Sequence, residues 1–208
     1  MTNQSAPAET DTRILDVAER LVQQRGYNAF SYADIANELE LTKASLHYHF
    51  SSKASLGLAL VDRYSTRFLA ALETIAETEP TAAARLAAYT SLYVAVLRQH
   101  RMCLFGMLAA DHLTLPQPMR AAVLTFFEKN EEWLATEFAA GKDDGSLAPA
   151  DNPADAAATL NGAIEGAMLV ARAFDDPERF ERSARRLLAA LEPSVGQRGT
   201  SASATGVE

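Results

Sequence analysis

The chain has 208 residues, 48% of them apolar, enough to bury a small domain beside a larger one or to close a single helical bundle. Its 27 acidic residues against 19 basic give a net charge of −8, which opposes nonspecific attraction to DNA and argues against a general DNA coater. There is no apolar run of about eighteen residues and no charged-then-apolar leader, so the expectation is a cytoplasmic protein with no membrane partner.

Residues 1–9, "MTNQSAPAE", are small and polar and read as a disordered tail. From Asp11 to Arg25 the residues Ile14, Ala18, Leu21 and Val22 recur at helical spacing, and Gly26 stands where a helix end wants a left-handed residue. Ser31 follows as an N-cap, with Asp34 completing an acidic variant of the capping box. Ile35, Ala36 and Leu39 give that helix its apolar stripe as far as about Glu40.

Thr42 caps a third helix, Lys43 to Phe50, in the stretch "LTKASLHYHFSSK". At 3.6 residues per turn Leu46 and Phe50 share one face. Ala44, Ser45 and Tyr48 lie opposite, flanked by Lys43 and His47 on one side and His49 on the other. A dry back and a front of small, hydroxyl and phenol groups edged by donors is what a helix in a DNA major groove would present. A solvated surface helix would show a polar face too, but three helices in this order make a helix-turn-helix with the third helix needed to close its core. Between residues 10 and 54 there are five basic and six acidic residues, so most of the acidic excess lies beyond this head.

The run "RILDVAERLVQQRGYNAFSYADIANELELTKASLHYHFSSKASL", Arg13 to Leu56, resembles the TetR-type one-component transcriptional regulators over about a fifth of the chain. The family commonly has glycine at the places of Glu40 and Ala44 and tyrosine at that of His47. Glu40 suggests a turn that does without a left-handed glycine, and Ala44 stays small enough for close approach to a groove. The resemblance implies that Ser31, Thr42, His47, His49 and Lys53 touch phosphates, while Lys43, Ser45 and Tyr48 face base edges of double-stranded operator DNA. For Lys53 there is also a physical reason, since it opens the next helix beside Ser51 and Ser52, where N–H groups favour an anion.

From Ser52 onward the pattern is helical throughout, giving an all-α class: the three-helix head at 10–54 and a larger helical bundle at 55–192. Helices are expected over Ser52–Glu77, Thr81–Arg98, Met102–Ala110 and Pro118–Ala140. A turn, "GKDDGSL", precedes Pro153–Phe174 and Pro177–Leu191, each of which opens on proline. The first of these six links head to body and is the natural lever. Residues 193–208 form a second small, polar tail.

In "LNGAIEGAMLVARAF" the pairs Gly162, Gly166 and Ala163, Ala167 leave one helix flank nearly bare. Interior glycines cost roughly 1 kcal/mol each against alanine, and close helix packing can offset that. Packing within one chain would serve. A two-fold interface, in which the last two helices meet their copies as a four-helix bundle, is the reading preferred and the one the family resemblance implies.

The aromatic residues Tyr89, Tyr93, Phe105, Phe126 and Trp133, with Met107, either fill a core or enclose an apolar pocket. Family resemblance points to a pocket for an unidentified small-molecule effector. Cys103 is near Arg98, His100 and Arg101 in sequence, a neighbourhood that would favour thiolate and suit a redox or electrophile sensor; burial as a small hydrophobe is the commoner fate. An enzymatic use of Asp111, His112 or Glu128 has little support, and no metal or cofactor site is expected. A helical adaptor for another protein is the remaining alternative. The reading that results is a ligand-responsive homodimeric repressor of a palindromic operator.

Overall fold

The computed structural model describes residues 7–193, among which there are nine α-helices and no strand. In chain order they are α1 (Pro7–Arg25), α2 (Tyr32–Leu39), α3 (Lys43–His49), α4 (Lys53–Thr78), α5 (Ala82–Leu97), α6 (Leu104–Ala110), α7 (Gln117–Asp143), α8 (Pro153–Ala173) and α9 (Pro177–Ala189). Single 3-10 turns follow α1 and α6. Helix α1 begins inside the stretch expected to be a tail, and the rest of that stretch, with nearly all of the C-terminal tail, lies outside the described residues. Helix α7 continues through Gly141 to Asp143, beyond the expected end at Ala140. Gly141 survives in that helix because Leu147 from the following turn packs where a side chain would stand, 2.4 Å from the place a Cβ would occupy.

The head closes because each short helix contributes one apolar stripe. Ile14, Ala18, Leu21 and Val22 of α1 meet Ile35 of α2 and Leu46 of α3, all essentially excluded from solvent. Leu56 and Leu60 of α4 complete that core, so the boundary at 54/55 falls within a helix that belongs to both parts. Burying Leu46 alone stabilises the seat of α3 by roughly 1.5–3 kcal/mol, which is large for a helix of seven residues.

Capping arrangements fix where α2 and α3 begin. Asp34 accepts hydrogen bonds from the backbone N–H and the hydroxyl of Ser31, both at 2.7 Å, and these bonds hold its carboxyl below the usual range. Thr42 accepts from the Ser45 N–H at 3.0 Å. Between the two helices Glu40 lies at φ 55°, in the left-handed region. The turn does without glycine, as expected, but not without the left-handed conformation, and glutamate bears its steric cost. Glu40→Gly is expected to raise stability by about 0.5–1 kcal/mol in urea unfolding, because relief of that cost exceeds the extra unfolded-state entropy.

The body packs α7 against α8 and α4, with α5 and α9 closing the remaining side. Its centre is aromatic. Phe105 and Phe126 stack with centroids 3.6 Å apart, and Phe68 meets Tyr89, Tyr93 and Phe126 edge-on or tilted. One polar thread crosses it: Asn130 donates to the Tyr89 hydroxyl and to the Asn161 side-chain Oδ1, and the Tyr89 and Tyr93 hydroxyls share a bond of 2.7 Å.

Head and body are joined by more than α4. Asp111, at the end of α6, accepts from the Tyr27 N–H at 2.8 Å, and Asn28 donates to the Thr114 hydroxyl. Arg172 of α8 donates to the carbonyls of Gln23 and Gln24, which the end of α1 leaves open. Gly26, at φ 88°, brings the backbone close enough that a Cβ there would lie 3.0 Å from Asp111 Oδ2. Asp111 is thus committed to holding the head, which removes the main support for a catalytic Asp111–His112 pair.

Candidate nucleic-acid interface and cavity

Helix α3 presents its front to solvent. Tyr48 is 82% exposed despite being a large aromatic, Lys43, Ala44 and His47 are exposed, and Ser45 is half-buried behind them. No apolar contact explains so bare a phenol on a seven-residue helix. The exposed Thr42 keeps its hydroxyl proton free while its oxygen caps α3. His47 is pinned by its ring against Tyr32, 4.8 Å between centroids, and by Nδ1 against the Ser51 carbonyl. Tyr32 is itself fixed, donating to the Phe50 carbonyl, and burial and Tyr27 push its phenol up to about 12. The front is therefore carried on a rigid back.

Two expected phosphate contacts are turned inward. His49 pairs through Nδ1 with Asp11 of α1 at 2.5 Å, and its side chain is only 10% exposed, so it ties α3 to α1. Lys53 donates to the Phe30 carbonyl and lies over the Tyr27 and Phe30 rings; desolvation lowers its pKa. Its helix N-terminus is instead closed by Ser52 and Ser55, which cap each other. Lys53 thus ties α4 to the segment before α2, as His49 ties α3 to α1.

The six residues proposed as a pocket are mostly core. Tyr89, Phe105 and Phe126 are buried against one another, Trp133 stacks on Tyr89, and Met107 lies at the head–body joint beside Arg172. Only Tyr93 lines the cavity between α4 and α5, about 180 Å³, with Tyr64, Arg67, Phe68, Ala71, Leu92, Val96 and Cys103. Arg67 was not legible as a pocket residue, since nothing in its sequence neighbourhood separates it from a solvated cation.

Cys103 meets the commoner of its two expected fates, burial, and the cationic neighbourhood of the other does not form around it. It is 2% exposed, while Arg98 reaches outward to Glu181 and His100 to Asp175. Burial pushes its thiol well up, and the nearby Glu165 carboxylate adds to that. Glu165 is nearly enclosed, one oxygen without a partner, in a space that exists because residue 106 is glycine. Because thiolate is the reactive form, folded protein at pH 8 is expected to react with a disulfide reagent at least about tenfold more slowly than protein in urea. Equal rates would contradict this burial.

On the opposite side of the body, α8 carries its bare flank outward. Among the described residues, nothing beyond their own helical neighbours lies within 4 Å of a Cβ built at Gly162 or at Gly166. Leu169, Val170 and Phe174 continue this exposed face.

A capped helix-turn-helix head clamped to an all-helical body is the architecture of a DNA-binding transcriptional regulator. Residues 14–60 match the model for bacterial regulatory proteins of the tetR family, and residues 82–187 match the tetracyclin repressor-like C-terminal domain. The chain belongs to the TetR family, and it is a DNA-binding transcriptional regulator. It is 28% identical over 153 residues to the transcriptional regulator AcuR of Cereibacter sphaeroides, 72% of this chain and 70% of that one. With the HTH-type transcriptional repressor NemR of Escherichia coli it shares 29% over 121 residues, 55% of this chain and 61% of that one. A TetR-family regulator from Agrobacterium tumefaciens superposes with a TM-score of 0.87 at 28% identity, covering 90% of this chain and 100% of that one. Among the described residues no helix is long and apolar enough to cross a membrane.

Proposed function

We propose that the chain is a ligand-responsive repressor that binds a roughly palindromic operator as a homodimer and is released by a small molecule held in its body. The observation that carries the reading is the front of α3, where an 82%-exposed Tyr48 stands beside Lys43, Ala44 and Ser45 on a helix locked from behind. Lys43, Ser45 and Tyr48 read base edges, Ala44 allows close approach, and Thr42, His47 and Ser31 face the backbone. The uncovered glycine face of α8 supports the dimer, in which two heads would address successive major grooves.

Release follows from differential affinity: a ligand preferring one separation of the heads shifts the population toward it and cannot do more than that preference allows. The acidic body repels DNA and leaves only the arrayed, near-neutral head to bind it, which favours site selectivity. The relatives named above are regulators, one of them a repressor, and this supports the sign chosen. Selection of bound duplexes from a random pool is expected to enrich a two-fold-symmetric sequence. No enrichment at low salt from folded protein would refute the reading.

A further inference from the structure

The cavity between α4 and α5 is small and has one charged edge. Its volume of about 180 Å³ is close to that of a dry protein cavity, about 150 Å³, known to take up benzene, so its occupant is about one aromatic ring in size. Phe68, Tyr64, Tyr93 and Val96 make the wall apolar and aromatic. Cys103, almost fully buried, marks the floor, and the enclosed Glu165 carboxylate stands beside it. Arg67, with its side chain 51% exposed, marks the rim.

That guanidinium is already in use. Arg67 Nη2 contacts Glu19 Oε2 at 2.5 Å, and Glu19, 8% exposed on α1, also receives Arg63 Nη2 at 2.9 Å. One side chain therefore borders the cavity and ties the lever helix to the head. An amine entering the cavity would bring like charge to Arg67, and a neutral molecule would leave the tie to Glu19 intact. A carboxylate held at the rim, clear of Glu165, with its ring directed to the floor, would compete with Glu19 for the Arg67 guanidinium.

We infer that this cavity takes a small carboxylic acid bearing an apolar group of about one ring, whose carboxylate draws Arg67 from Glu19 and so loosens α1 on α4. This rests on the reading that a small effector acts through the body. Arg63 remains on Glu19 and also holds Asp16 at 2.8 Å, so the head is loosened rather than detached. Reciprocity requires that removing the charge of Glu19 strengthen ligand binding.

The test is calorimetric titration of the full chain without DNA, using benzoate, benzamide and benzylamine as probes at one pH and salt concentration. Benzoate is expected to bind at least about tenfold more tightly than either neutral or cationic probe, as a charge-assisted contact implies. Arg67→Gln, at a half-exposed position that should not disturb folding, erases that preference, and Glu19→Gln strengthens benzoate binding. Should Glu19→Gln fail to fold, the Arg67→Gln comparison decides the matter. Equal affinity for benzoate and benzamide, a preference for benzylamine, a preference that survives Arg67→Gln, or no binding at millimolar benzoate would overturn the assignment. Since no DNA is present, any of these leaves the operator reading standing, and a failure to select an operator would leave this result untouched.

Discussion

Substituting arginine for Gly162 and Gly166 together is expected to leave the chain folded, convert a dimer into a monomer, and weaken operator binding on the order of a hundredfold or more through lost bivalency. Among the described residues, and apart from its own helical neighbours, neither glycine has an atom within 4 Å of a Cβ placed on it, so the new side chains meet no obstacle there. Helix propensity even favours them, by about 0.8–1 kcal/mol for each glycine replaced. What they would obstruct is a second copy of α8 lying against the same flank, where Leu169 and Phe174 are also left uncovered. Sedimentation across a concentration series reads the assembly, and circular dichroism checks the fold. A variant that remains dimeric with undiminished operator affinity would place the interface elsewhere.

Phe105→Ala is expected to cost about 3–5 kcal/mol in stability, a large share of the margin a domain of this size commands. The ring is fully buried at the start of α6, stacked on Phe126 at 3.6 Å and edge-on to Tyr64 at 5.8 Å. Its neighbours come from α4 and α7, long helices that cannot close the gap by shifting one side chain, so a cavity would persist. Urea unfolding followed by circular dichroism measures the loss. A cost below about 1 kcal/mol would mean that the centre of the body is loosely filled and that the effector could occupy it directly.

The fold was largely legible because its helices announce their ends. Thr42, Thr81, Pro153 and Pro177 stand at or beside the starts expected for them, and the apolar stripes in Ile14–Val22 and Ile35–Leu39 lie in the core of the head. The end of α7 was missed because the sequence shows a glycine in "GKDD" but not Leu147 folding back onto it. At Glu40 the absence of glycine was legible but the backbone was not: residue type predicts only a preference for the left-handed region, whereas the chain path between α2 and α3 imposes it.

Side-chain direction was harder to read than position. His49 and Lys53 lie where sequence placed them along the chain, yet each is turned toward the interior by a partner distant in sequence, Asp11 for one and the Phe30 carbonyl for the other. Cys103 closely follows three basic residues in the chain while Glu165, sixty-two positions later, is its actual electrostatic neighbour. The aromatic set of the body identified a dense core but could not separate wall from filling. Arg67 and Glu19 gave no signal at all, because their significance is a contact between α1 and α4.

The central claim is that the front of α3 reads base sequence, and the most direct measurement compares wild type with a Ser45→Ala, Tyr48→Ala double variant on the selected operator and on a scrambled duplex at one salt concentration. Neither residue supports the core, so folding and the salt-dependent affinity for scrambled DNA should stay unchanged, while affinity for the operator falls at least about thirtyfold as two base contacts are lost. An equal loss on both duplexes, or none on the operator, would contradict base reading by this helix.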